Sequence, residues 1–108
     1  MATEIKPTDL RARLDAGEKL LLLDVRQPWE HEAARIAGSV LIPLNDLPAR
    51  LGELKLEPGQ TLVTYCHAGM RSMRAAQFLE QSGFSGVLSL AGGIAAWSAQ
   101  VDSSIPQY

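Results

Sequence analysis

Thr61-Leu62-Val63-Thr64-Tyr65-Cys66-His67-Ala68-Gly69-Met70-Arg71-Ser72 is the stretch on which the reading of this chain turns. The apolar run up to Tyr65 has the length and composition of a buried strand. It leads straight into the only cysteine among 108 residues. Met73 to Gln81 then read as a helix, so the thiol is delivered between the end of a strand and the start of a helix. Aligned amides and the positive end of the helix dipole favour negative charge at that place, which makes Cys66 a candidate nucleophile. Residues 67 to 71 contain no proline, so every amide of the loop can donate. Gly69 permits the positive backbone angle of a tight loop, and a curled loop aims several N–H groups at its centre, as anion-binding nests do. Arg71 adds a forked cation at the rim. The expected site is therefore Cys66 surrounded by His67, Ala68, Gly69, Met70, Arg71 and Ser72.

Working outward, Pro7 to Ala16 reads as a short helix, with Pro7 at its first position and Gly17 as its stop. Lys19 to Val25 holds four leucines without polar alternation, as in a strand covered on both faces. Pro28 to Arg35 is expected to be a short helix, and Val40-Leu41-Ile42 a short strand ended by Pro43. Asn45 is read as the cap of a helix reaching about Leu54. After the turn at Pro58-Gly59 and the strand at Thr61 to Tyr65, Val87 to Leu90 forms another buried strand. Gly92-Gly93 opens a last helix carrying Ile94 and Trp97, and the tail from Val101 to Tyr108 is expected to be irregular. Strands alternating with helices at these spacings point to an α/β fold with a mostly parallel sheet and helices on both faces. Ligand sites of such sheets lie beyond the carboxyl ends of the strands. Asp24, Arg26 and Cys66 all fall at such ends and are expected to meet, with Asp24 and Arg26 bracing the strand end rather than doing chemistry.

The composition sets limits. With 46% hydrophobic residues, a chain this short suits one domain over residues 1–108 with one core. A net charge of -2 argues against nucleic acid or an anionic membrane as a partner. One cysteine cannot form an internal disulfide, and neither a signal-peptide core nor a bilayer-length apolar run is visible, so a cytoplasmic location is expected. His31, His67 and one cysteine do not make a metal set. Ser72 lacks the His and Asp partners of a serine hydrolase. Glu30 is read as a local cap or pair, Trp97 as core, and Arg74 as a cation sharing the helix face of Arg71.

Loop length separates two thiol chemistries. Cysteine-dependent phosphatases use a Cys-x5-Arg loop that surrounds a phosphate. Here the spacing is Cys66-x4-Arg71, a smaller ring that suits the terminal sulfur of a persulfide. Together with Leu23-Asp24-Val25-Arg26, Pro28-Trp29-Glu30, Ile36-Ala37-Gly38-Ser39, Ile42-Pro43 and Leu90-Ala91-Gly92-Gly93-Ile94 with Trp97, this loop resembles that of a single-domain rhodanese of the thiosulfate sulfurtransferase family. The resemblance covers nearly the whole chain. It implies a doubly wound α/β domain with a five-stranded, mainly parallel sheet. It also implies a sulfurtransferase that carries sulfur as a Cys66 persulfide, from a small anionic donor such as thiosulfate to cyanide, a thiol or a protein acceptor, with no cofactor. There are two departures from the family pattern: Ala34-Arg35 stand where Gly-His is common, and His67 stands where thiosulfate-using members often have arginine. A non-catalytic interaction module and a persulfide relay to a partner protein are the alternative readings.

Overall fold

The computed structural model describes residues 2–108. In chain order its elements are β1 (Thr3–Ile5), α1 (Pro7–Asp15), β2 (Leu20–Asp24), α2 (Pro28–Ala33), β3 (Val40–Leu41), β4 (Thr61–Tyr65), α3 (Met70–Gln81), β5 (Leu88–Leu90) and α4 (Gly93–Gln100). Two 3-10 segments, Leu44–Asp46 and Pro48–Glu53, lie between β3 and β4.

The leucine run shows why the sequence chooses this architecture. Leu22 faces a core made with Leu10, Ile94 and Trp97, while Leu23 faces a second core made with Leu47, Ala75 and Leu79. Leu20 and Leu21 extend the same alternation on the two sides. A strand buried on both faces has no use for polar alternation, and the unbroken leucines are the direct signature of that. β4 repeats the pattern, with Leu62 on one side and Val63 and Tyr65 on the other. Each such fully buried side chain contributes about 1.5–3 kcal/mol.

The five strands stand in the order β1-β5-β4-β2-β3, and every pairing is parallel. The fold is thus α/β, as expected, and the sheet is wholly rather than mainly parallel. α1 and α4 cover one face; α3 and the 3-10 segments cover the other. From β2 the chain goes outward to β3 and then returns to β4 on the opposite side of β2. The crevice of a doubly wound sheet opens where strand order reverses in this way, above the carboxyl ends of β2 and β4. Asp24 and Tyr65 are directly paired there, one residue before Val25 and Cys66.

Three local expectations are corrected. The segment from Asn45 to Leu54 is not one α-helix. Pro48 has no amide to donate, and the chain forms two 3-10 pieces with non-helical angles at Arg50. The helix expected from Met73 begins at Met70, with Gly69 as its N-cap at φ 112°, so Arg71 and Ser72 belong to its first turn. α2 stops at Ala33, because Ala34 is extended. The sequence carries no periodic signal for β1, which joins the sheet edge through β5.

Candidate functional site

Cys66 follows β4 directly, is 1% exposed and is a free thiol. The Gly69 amide donates to its Sγ at 3.0 Å and the Ser72 amide at 3.4 Å. The thiol itself donates to Ser72 Oγ at 3.5 Å. That hydroxyl is fixed in turn by the Gly69 carbonyl (3.1 Å) and by Ser89 Oγ of β5 (2.8 Å). Thr64 Oγ1 donates to the Ser72 carbonyl at 2.8 Å, tying α3 to the strand that delivers the cysteine. Sulfur therefore sits at the N-terminal end of a 12-residue helix with backbone donors pointed at it, an arrangement that favours negative charge.

The carbonyls of the loop are turned the other way. Cys66 O accepts from the Ile94 amide at 2.8 Å and His67 O from the Ala95 amide at 3.1 Å, both at the start of α4. This approach is so close that a Cβ on Gly93 would fall 2.5 Å from Cys66 O. Gly93 also holds φ at 62°, so two independent demands select glycine there.

Around the cradle runs a chain of charges. Asp24 and Arg26 are both fully buried. Asp24 accepts from Arg26 Nε at 2.8 Å and Nη2 at 2.7 Å, and His31 Nδ1 lies 2.8 Å from it. Arg26 also donates to Ala34 O (2.5 Å) and to the Tyr108 hydroxyl (2.8 Å). Burial opposes the charge on Arg26, but the bonds to Asp24 and Tyr108 prevail and hold it above the ordinary guanidinium range. The Tyr108 hydroxyl donates onward to Glu30 Oε2 at 2.8 Å. Glu30, 4% exposed, grips Arg71 with both oxygens, at 2.6 and 2.9 Å. The guanidinium expected to face an anion in the loop is thus committed to a carboxylate, and Glu30 does more than close the capping box at Gln27.

The bonds from Arg71 hold the Glu30 carboxyl at about 2, below its ordinary 4.5, with the Gln27 amide and Tyr108 assisting against burial. A carboxyl lowered in this way stabilises the fold fully above about pH 4.5, and the contribution disappears as pH falls toward 2. The gap between 4.5 and about 2 corresponds to at most about 3 kcal/mol. Glu30→Gln is therefore expected to lose less stability than wild type between pH 5 and pH 2.5. Urea unfolding of both proteins at the two pH values measures it, and parallel losses would deny the pair this role.

Of the remaining expected residues, Ala68 and Met70 are exposed on the loop. His67 is half-buried, with its ring 4.7 Å from that of Tyr108 and its Nδ1 buried without a partner. Arg74 is exposed and takes no part in the charge chain. Sequence reasoning missed Ser89, His31 and above all Tyr108, which lies in a tail without periodic pattern. Among the described residues no group of three or more His, Cys, Asp or Glu could hold a metal ion, and no helix is long and apolar enough to cross a membrane.

With this geometry in place, the family model for the rhodanese-like domain matches residues 6–100. The chain belongs to the rhodanese-like domain family. Its relatives include a protein from Allochromatium vinosum named sulfurtransferase, 37% identical over 98 residues, covering 91% of this chain and 90% of that protein. They also include the probable adenylyltransferase/sulfurtransferase MoeZ of Mycobacterium tuberculosis, 40% identical over 104 residues and 96% of this chain. This rhodanese-like chain spans only about a quarter of MoeZ, 26% of its length. The crystal structure of a thiosulfate sulfurtransferase from Pseudomonas aeruginosa superposes with a TM-score of 0.82 at 26% identity, over 91% of this chain and 19% of that one. The rhodanese-like family and fold are thereby established for the chain, and relatives within it carry the name sulfurtransferase.

Proposed function

We propose that Cys66 is the catalytic nucleophile of a sulfurtransferase and carries sulfane sulfur as a persulfide. The Cys66 thiolate attacks the outer sulfur of a donor such as thiosulfate. The new S–S bond takes up the attacking pair, and the S–S bond of thiosulfate breaks with its electron pair leaving on sulfite. A nucleophilic acceptor (cyanide, a small thiol or a protein thiol) then attacks the outer sulfur and regenerates the Cys66 thiolate. The observation that carries this reading is the buried Sγ beneath the Gly69 and Ser72 amides at the start of α3. Donors placed where charge collects stabilise both the thiolate and the persulfide anion. Ala68, Met70 and Arg71 supply the rest of the loop backbone, and His67 stands at its rim.

Delivery to a protein has its own support. The chain has no second cysteine to resolve the persulfide. A further relative, from Bacillus subtilis, is named a putative sulfur carrier protein and is 33% identical over 99 residues. Trp29 and Met70, 64% and 73% exposed, are large apolar side chains presented next to Glu30 and Arg71. Intact-protein mass after brief incubation with thiosulfate tests the chemistry. A gain of about 32 Da, removed by cyanide, is expected for one sulfur on Cys66. An unchanged mass with thiosulfate and with a small-molecule persulfide, on reduced protein, would overturn the reading.

A further inference from the structure

Tyr108 closes the charge chain that surrounds the cysteine loop. Its hydroxyl accepts from Arg26 and donates to Glu30, both at 2.8 Å, so one oxygen joins two ionic pairs of separate origin. On one side is the buried Arg26–Asp24 pair at the end of β2. On the other is the Glu30–Arg71 pair, whose arginine stands in the first turn of α3, five residues after Cys66. The ring meets His67, the residue after the cysteine, at 4.7 Å and 68°, and Trp29 edge-on at 5.8 Å. Arg26 lies 5.5 Å from the same ring.

These contacts are separate from what anchors the tail. Ile105 is buried in the core shared with Leu10, Ile94 and Trp97, and its carbonyl accepts from Ser98 Oγ at 2.6 Å. Tyr108 is 38% exposed, so it adds little to the core, and its polar atom is spent wholly on the site. A tail that is already held at Ile105 does not need Tyr108 for folding.

We propose that Tyr108 is a positioning residue for sulfur transfer at Cys66, a role that rests on the sulfurtransferase reading. Its hydroxyl orients the Glu30 carboxylate that grips Arg71, and its ring limits the positions open to His67. Both ends of the six-residue loop are then braced from one side chain. The effect on chemistry passes through Glu30, Arg71 and His67, without contact between Tyr108 and the reacting sulfur.

The test compares wild type, Tyr108→Phe and Tyr108→Ala by steady-state kinetics with thiosulfate and cyanide, and by urea unfolding. Tyr108→Phe keeps the ring and loses the bridge; kcat is expected to fall roughly three- to tenfold with KM for thiosulfate within about twofold. Tyr108→Ala loses both, and its kcat is expected to fall about tenfold further while KM rises, so that phenylalanine is a partial rescue. Both variants lose the hydroxyl that buried Arg26 and Glu30 share, so their unfolding midpoints should fall modestly and by similar amounts while their kcat values differ. Wild-type kcat in the alanine variant would overturn the proposal. So would equal losses in both variants that run parallel to a fall in unfolding midpoint, the mark of a merely structural role. Absence of a persulfide on wild type itself would remove the underlying reading and the proposal together, which separates that failure from the others.

Discussion

Cys66→Ser is expected to reduce sulfur transfer at least about a thousandfold while leaving the fold intact. Serine is the smallest change available at the position. Its hydroxyl can accept from the Gly69 and Ser72 amides that now point at Sγ, so the loop keeps its partners. Stability should stay within about 1 kcal/mol of wild type, because no cavity opens and no buried donor is orphaned. The chemistry is lost for a different reason: a hydroxyl is almost wholly protonated near neutral pH and forms no persulfide. Sulfite release from thiosulfate, followed with purified wild type and variant at equal folded concentration, is the measurement. Release by Cys66→Ser at anything near the wild-type rate would place the nucleophile elsewhere, and the chain has no other thiol.

The second large effect concerns stability. Asp24 and Arg26 are both 0% exposed, and Asp24 supplies most of what neutralises the guanidinium. Asp24→Ala would leave Arg26 buried with only the Ala34 carbonyl, the Tyr108 hydroxyl and the rings of Tyr65 and Tyr108 around it. Removing one member of a buried pair typically costs about 3–5 kcal/mol, chiefly the desolvation of the charge left behind. Small domains have only about 5–15 kcal/mol in total, so the variant should lose a large share of its stability. Arg26→Met in the same chain removes the stranded charge, and the double variant Asp24→Ala/Arg26→Met should recover a good part of the loss. Urea midpoints for the two single variants and the double complete the cycle. A single variant within about 1 kcal/mol of wild type would mean that water reaches Arg26 and that the pair is not the brace it is taken to be.

Much of this architecture is legible before any coordinates. The β4–loop–α3 passage announces itself because a buried strand, a proline-free glycine loop and a helical stripe follow one another without interruption. The leucine run of β2 is equally plain, since burial on both faces removes the ambiguity of alternation. What escapes is short or depends on distant partners. β1 has three residues, of which only Ile5 is buried, so no periodicity can accumulate; its identity comes from pairing with β5. The segment after Asn45 has the capping residue and apolar content of a helix, and only Pro48 argues otherwise. Arg71 reads as a free cation because sequence spacing shows its neighbours in the loop and conceals Glu30, forty-one residues earlier. Tyr108 offers no signal at all: a single aromatic after Ser-Ser-Ile-Pro-Gln is indistinguishable from a solvated tail residue until the fold brings it to the loop.

The grip of α4 on the Cys66 and His67 carbonyls bears on whether this loop could be transplanted. Residues 66 to 71 look like a self-contained cassette, short and continuous, fit for grafting between any strand and helix. Its curvature, though, is held from outside, by two amides of α4 that can reach it only because Gly93 has no side chain. Copied alone into a foreign scaffold, the six residues would keep their chemistry-bearing side chains and lose the outward pull on their carbonyls. The smallest transferable unit is therefore discontinuous: the loop with α3, together with the Gly92-Gly93 turn that enters α4.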